Sequence, residues 1–226
     1  CEHVVVQTPR SIGCLLKVHE YQIMAGCTMN LLRIAGLSLM LLAAAPLAGC
    51  GPKQAAEPPL AGSSIGGPFT LTDQDGRTVS DSDFAGKYRI VYFGYTYCPD
   101  VCPVDMQNIG SAMKKLRASD PALAKRIVPI FISVDPERDT PAVVKQFVSA
   151  FGPGIVGLTG SQEAVDRAAS EFHVFHKKVQ EDGAEGYLVN HGRAAYLMGP
   201  KGEPIALLPA DESADAVVDT LRKWVA

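Results

Sequence analysis

Positive charge, long apolar runs and repeats are all scarce in this sequence, and each scarcity removes a class of function. The 226 residues carry 21 Lys and Arg against 24 Asp and Glu, a formal charge of -3. No basic surplus is available to grip a phosphate backbone, so no nucleic-acid partner is expected. No apolar run reaches the ~20 residues that a membrane-spanning helix needs. No internal repeat or low-complexity tract occurs, and with 47% apolar residues the composition supports one packed domain rather than a disordered or fibrous chain. Histidine is sparse too, with five in the chain, which limits how any imidazole chemistry could be assembled.

What is present begins with MNLLRIAGLSLMLLAAAPLAGC, residues 29 to 50. Met29 and Arg33 make a short positive start, residues 34 to 46 an apolar stretch, and Leu47-Ala48-Gly49-Cys50 a small-residue cleavage site. This layout predicts an export signal over 29–49. Its ending, LAGC, resembles the lipobox of bacterial lipoproteins, which implies a lipid-bearing Cys50 as first residue of the mature chain, held on the periplasm-facing side of the cell envelope. Residues 1–28 then have no role, Met29 reads as the better start, and Cys1, Cys14 and Cys27 are uninformative. Without Arg10, Lys17, Arg33, Glu2 and Glu20, the chain from Cys50 onward keeps 18 basic and 22 acidic side chains.

GPKQAAEPPLAGSSIGG, which completes the 50–67 segment, is rich in Gly, Pro, Ala and Ser and reads as a flexible tether. A folded domain is expected over 68–226. FTLTDQDGRTVS alternates around a DQDG turn, predicting a hairpin. YRIVYFGY, residues 88 to 95, and RIVPIFISVD are continuous apolar runs of the kind that make buried central strands. Between them Val104, Met106, Ile109, Met113 and Leu116 fit one helical face over 103–118. Thr140-Pro141 and Ser161 open two further helices. IVGLTG predicts a short strand, FHVFHKKV and GYLVNHGRAAYLMGPKGEPIALLP strands joined by turns, and DESADAVVDTLRKWVA a closing amphipathic helix. The expected class is α/β, with a mixed sheet flanked by helices and an N-terminal hairpin.

The chemistry concentrates in YCPDVCPVDM, residues 97 to 106. Cys98 closes the loop after a buried strand, and Pro99 suits the first position of a helix, so both Cys98 and Cys102 are expected near its first turn. There the positive end of the helix dipole lowers thiol pKa values. Residues four apart on a helix hold their Cβ atoms ~5–6 Å apart, wider than the ~3.5–4.5 Å of a relaxed disulfide. A disulfide here requires distortion and is reducible. Two thiolates on one metal ion tolerate the wider gap, because each metal–sulfur bond adds ~2.3 Å. The alternatives are a structural disulfide, or two thiols buried as small apolar groups.

Two thiolates are an incomplete ligand set, and the chain beyond Cys50 offers His173, His176 and His191. On one strand, His173 and His176 would face opposite sides and could not chelate together. His191, in LVNHGRAAYLM, sits in a turn entering a strand, and a lone turn histidine carries no metal assignment by itself. FGYTYCPDVCPVDM, SVDPERDTP and the histidine before YLM-x-P-x-G together resemble the Sco/SenC family, copper chaperones for cytochrome c oxidase assembly. The resemblance covers nearly all of residues 65 to 226. It implies a thioredoxin-like fold, membrane tethering, and copper, as Cu(I) or Cu(II), on Cys98, Cys102 and His191. It also implies delivery to the dinuclear copper centre of oxidase subunit II or to another acceptor protein. Two departures stand out: Asn190 and Gly199 occupy positions where the family usually has Asp, and loss of the first is expected to weaken support of His191. Asp135, in SVDPERDT, matches a family signature and reads equally as a turn-forming Asp.

The competing function is an enzyme on the same fold, a periplasmic thiol–disulfide reductase with Cys98 as nucleophile and Cys102 as resolving thiol. Such reductases carry a cis-proline just before the strand facing the motif. VNHGRAAYLM has no proline there, and His191 falls near the place. No other residue is assigned a catalytic role.

Overall fold

The structure, a computed structural model, describes residues 56–180 and 186–225. The expected signal segment, Cys50 and the residues upstream of them lie outside this range. YRIVYFG forms β3 (Tyr88–Gly94), with all seven residues buried. A strand apolar on both faces has to be covered on both, and this one is central. It pairs in parallel with β4 (Ile127–Ser133), from Tyr88 opposite Ile127 to Gly94 opposite Ser133. β5 (Val156–Thr159) extends the parallel part beyond β4. On the other side β8 (Ala195–Met198) runs antiparallel to β3, and β9 (Pro204–Leu208) antiparallel to β8. The expected hairpin, β1 (Thr70–Asp73) and β2 (Thr78–Ser80), joins the sheet through an antiparallel β1–β5 pairing. The seven-stranded order is β2-β1-β5-β4-β3-β8-β9. Two strands, β6 (His176–Val179) and β7 (Leu188–His191), form a separate antiparallel ribbon.

Among the described residues, five α-helices complete the domain: α1 (Val101–Ser119), α2 (Pro121–Ala124), α3 (Pro141–Ser149), α4 (Gln162–Glu171) and α5 (Ala214–Trp224). Their starts follow local chemistry. Thr140, Ser161 and Ser213 each accept a hydrogen bond from the backbone N–H three residues on, and Pro141 takes the first turn of α3, where its missing N–H is not needed. In the hairpin, the Asp73 carboxylate accepts from the N–H groups of Asp75 and Arg77, and Gly76 turns the chain with φ 80°. Successive residues of β3 serve opposite layers. Phe93 packs on Phe172 at the end of α4, with ring centroids 5.3 Å apart, while the Tyr92 hydroxyl reaches Asp105 on α1. Among the described residues, no helix is long and apolar enough to cross a membrane.

Three expectations shift. The last part of the predicted tether is tied down: Leu60 N–H donates to the Ile205 carbonyl and Gly66 N–H to that of Glu171. FHVFHKKV is a strand only from His176 onward, since His173 adopts φ 53° in the turn after α4. GYLVNHGRAAYLM divides between two sheets, with β7 alternating between exposed and buried positions and β8 buried throughout. The face of α1 also differs by a small rotation. Cys102, Asp105, Met106, Ile109, Ala112, Met113 and Leu116 point inward, whereas Val104 is 50% exposed.

One contact in this frame leaves no space for a side chain. A Cβ placed on Gly110, in the middle of α1, would lie 2.1 Å from the Phe151 carbonyl oxygen. Gly110→Ala should therefore push α1 away from the α3–β5 connection and destabilise the domain by roughly 1–3 kcal/mol. Thermal unfolding of the two proteins checks this, and an unchanged midpoint would contradict it.

Candidate metal centre

β3 ends at Gly94, where the chain leaves the sheet beneath the start of α1. A Cβ on Gly94 would come within 2.9 Å of the Cys102 Sγ, so glycine here makes room for the sulfur. The loop from Tyr95 to Asp100 is held from the neighbouring β4–α3 connection. Thr96 donates through its N–H (2.9 Å) and hydroxyl (2.6 Å) to Asp139, and the Ser133 hydroxyl donates to the same carboxylate. Asp139 has no exposure, and its burial holds its pKa above the ordinary carboxylate value. Within the loop, Cys98 N–H donates to the Tyr95 carbonyl at 3.3 Å.

The helix starts later than the sequence suggests. Val101 is its first residue, and Asp100, at φ -134° and ψ -85°, still stands outside the helical region. Pro99 and Cys98 therefore lie in the anchored loop, and only Cys102 occupies the first turn. The expected lowering of thiol pKa is also overturned for Cys102. Its side chain has no exposure, and burial pushes the thiol up, outweighing the hydrogen bonds that favour its thiolate.

His191 ends β7 and is half-buried. Its Nδ1–H donates to the Gly192 carbonyl at 2.8 Å. With the proton placed there, the Nε2 lone pair faces Cys102 Sγ at 3.2 Å. Burial lowers the pKa of the ring, more than offsetting the Gly192 contact, so the imidazole is neutral and fit to ligate. Tyr95 and Tyr92 meet the ring edge-on, with centroids 5.8 and 6.5 Å away. Sγ of Cys98, Sγ of Cys102 and a ring nitrogen of His191 all lie within 4.8 Å of one another, and both cysteines are free thiols. Metal–sulfur bonds of ~2.3 Å and metal–nitrogen bonds of ~2.0 Å span nearly that separation. The donor set fits a soft transition-metal ion.

Three carboxylates frame this cluster, and the sequence reading assigned no position to two of them. Asp105, one turn beyond Cys102, has no exposure. It accepts two hydrogen bonds from Arg193, at 2.8 and 2.7 Å, and one from the Tyr92 hydroxyl at 2.9 Å. Asp139 is the loop anchor described above. The third is Asp135, where the structure goes beyond a turn-forming role: it accepts from Arg138 Nε and from the Tyr187 hydroxyl. The Arg138 guanidinium also covers the Tyr187 ring at 3.7 Å. The signal for Asp105 was its spacing, since it falls on the buried stripe with Ile109, Ala112 and Leu116. An acid on that stripe needs a buried partner.

Of the described histidines, His173 and His176 are not part of the cluster, although His176 lies opposite His191 on the β6–β7 ribbon. His173 Nε2 contacts Ser64 Oγ at 3.1 Å, and His176 Nε2 contacts Asp166 at 2.9 Å. The expectation for Asn190 is corrected as well. Side chains alternate along β7, so Asn190 is exposed on the face opposite His191. The amide is not placed to support the imidazole, and the Gly192 carbonyl does so. Gly199 lies beyond β8, with its N–H on the Glu203 carbonyl.

Comparison with known proteins identifies the relatives of this chain. Residues 57–226 match the SCO1/SenC family. The chain is 38% identical over 170 residues to Protein SCO1 homolog 1, mitochondrial, of Arabidopsis thaliana, covering 75% of this chain and 50% of that protein. It is 39% identical over 163 residues to Protein SenC of Rhodobacter capsulatus, covering 71% of each. The chain thus spans about half the length of the plant relative. Among solved structures, Arabidopsis thaliana ScoI with copper bound superposes with a TM-score of 0.65 at 37% identity, covering 70% of this chain and 97% of that one.

Burial of neutral His191 has a measurable consequence. The unfolded imidazole titrates near 6.5, and the folded one only at lower pH. As pH falls, the unfolded chain takes up this proton first. The contribution to stability is undiminished above about pH 7.5 and is lost as pH drops through ~6.5 towards the folded value. Denaturant unfolding of the reduced, metal-free domain between pH ~8 and ~5.5 should show this loss, and His191→Gln should reduce it. Equal pH slopes for the two proteins would contradict the assignment.

Proposed function

This chain belongs to the SCO1/SenC family, and from that premise we propose that it carries copper on Cys98, Cys102 and His191 and passes it to an acceptor protein. The observation that carries this reading is the convergence of three soft or borderline donor atoms within 4.8 Å, with the lone pair of His191 already turned towards them. Thiolates suit Cu(I) and imidazole suits Cu(II) as well, so the set can hold either oxidation state. On loading, the cation would replace the thiol protons, and its charge would offset the penalty that burial places on the Cys102 thiolate. Cys98 lies in the loop, Cys102 on α1 and His191 at the end of a two-stranded ribbon, so all three donors sit outside the main sheet. His191 is the one donor of the three that is not buried, so an acceptor can approach from its side.

The family resemblance supports an acceptor in cytochrome c oxidase assembly, subunit II or a protein that serves it. The LAGC sequence supports a lipid on Cys50 that holds the domain at the periplasmic face of a bacterial membrane. The reductase reading needs a reactive thiolate in this pair. That reading places the nucleophile at Cys98 and leaves the buried Cys102 as resolving thiol, and it has no use for His191.

Anaerobic titration of the reduced domain tests the copper reading. One equivalent of copper should bind, and Cys98→Ser and Cys102→Ser should each abolish the sulfur-to-metal absorption band of the Cu(II) form. His191→Ala should weaken binding by more than the ~10–100-fold typical when only a supporting contact is lost. Full stoichiometry in the double serine variant would overturn the site. His191→Ala supporting normal oxidase levels in cells where Cys98→Ser does not would replace it with the reductase reading. For the anchor, the intact mass of the membrane-bound protein should correspond to a chain starting at a lipid-modified Cys50. An unmodified chain retaining residues 1–49 would refute it.

A further inference from the structure

Asp105 and Arg193 are absent from the ligand set, yet they bracket the site. Asp105 lies three residues beyond Cys102 on α1, which on a helix places the two Cβ atoms ~5–6 Å apart. Arg193 lies two residues beyond His191. The carboxylate has no exposure, whereas the Arg193 side chain is 40% exposed. The pair therefore places a fixed negative charge inside the protein and its counter-charge at the surface. Tyr92 bridges the pair to the site, because its hydroxyl donates to Asp105 while lying against Cys102 and its ring meets His191 edge-on. The charge of Asp105 is also felt at the His191 ring.

The charges surrounding a bound ion follow from this arrangement. Two thiolates give -2, neutral His191 adds nothing, and the Asp105–Arg193 pair sums to zero. Cu(II) then makes a neutral site and Cu(I) a site of charge -1. In a buried setting, a single additional charge of either sign tips that balance. We propose that the charges of Asp105 and Arg193 bias the oxidation state of bound copper in opposite directions, the buried carboxylate favouring Cu(II) and the arginine Cu(I), so that the intact pair balances the two and keeps both states accessible. The pair acts through the field at the site, and its two members are positioning residues that do not touch the ion. The inference rests on the copper reading above.

The test exploits the opposite signs of the two charges. Cu(I) and Cu(II) affinities of the reduced domain are measured separately, by competition with chelators of known affinity, for the unmutated protein and for Asp105→Asn, Arg193→Gln, Arg193→Lys and the double variant Asp105→Asn with Arg193→Gln. Asp105→Asn keeps the shape and removes a negative charge, so the Cu(I)-to-Cu(II) affinity ratio should rise. Arg193→Gln removes a positive charge, so the ratio should fall. Each shift should be roughly ten- to hundred-fold, as for a unit charge ~6–10 Å away at an effective dielectric near 20. The double variant should return close to the original ratio, and Arg193→Lys should hardly move it. Loosening of the site would weaken both oxidation states together and shift the single variants in the same direction, or not at all. That outcome overturns the proposal. Should Asp105→Asn fail to fold, Arg193→Gln against Arg193→Lys decides the matter, with equal ratios overturning the proposal. No copper bound by the unmutated domain overturns the copper reading itself, whereas bound copper with unmoved ratios overturns only the tuning.

Discussion

The contact between the Asp105 carboxylate and the Arg193 guanidinium joins two parts of the chain that are distant in sequence. It fixes the first turn of α1, which carries Cys102, against the connection between β7 and β8, which carries His191 at its start. Both hydrogen bonds of the fork are short, 2.8 and 2.7 Å, and Tyr92 supplies a third from the central strand. A carboxylate with no exposure is costly unless it is fully partnered, so Asp105 tolerates little displacement of either neighbour. The separation of the Cys102 sulfur from the His191 ring follows from that intolerance. Asp139 plays the corresponding part for the loop of Cys98 by gathering Thr96 and Ser133.

The two local influences on Cys102 oppose each other. The first turn of a helix favours a thiolate, and burial disfavours it. At Cys102 the surrounding side chains exclude water, and burial prevails. A site of this kind keeps its buried sulfur protonated until a cation arrives to replace the proton. His191 complements it: its neutral ring, with Nδ1–H spent on the Gly192 carbonyl, offers a lone pair without first releasing a proton. These features suit a protein that holds a soft ion and gives it up again.

The aromatic wall around the centre has a mechanical role as well. Arg138 lies over the Tyr187 ring and holds the Tyr187 carbonyl at 2.9 Å, while Asp135 binds both side chains. This links the β4–α3 connection to the segment entering β7. Since β6 and β7 pair only with each other among the described strands, such side-chain links hold the ribbon, and His191 with it, near the cysteines.

The sequence by itself determined the central strands, the capped starts of α3 and α4, the closing helix, the hairpin turn and the two cysteines. These depend on apolar runs, caps and turn residues, which act between near neighbours in the chain. His191 came from resemblance, because a single turn histidine carries no local signal for metal binding. What tertiary structure decided was everything that depends on distant residues meeting. A helix start two residues later than Pro99 suggests follows from the anchored loop, and a raised Cys102 thiol follows from packing around α1. Asn190 points away from His191 because β7 forms its own ribbon, which no neighbour in sequence dictates. The carboxylates that organise the site, Asp105 and Asp139, resemble any other acids in the sequence. Their partners Arg193 and Thr96 stand 88 and 43 residues away, and only folding brings those charges and hydrogen bonds together.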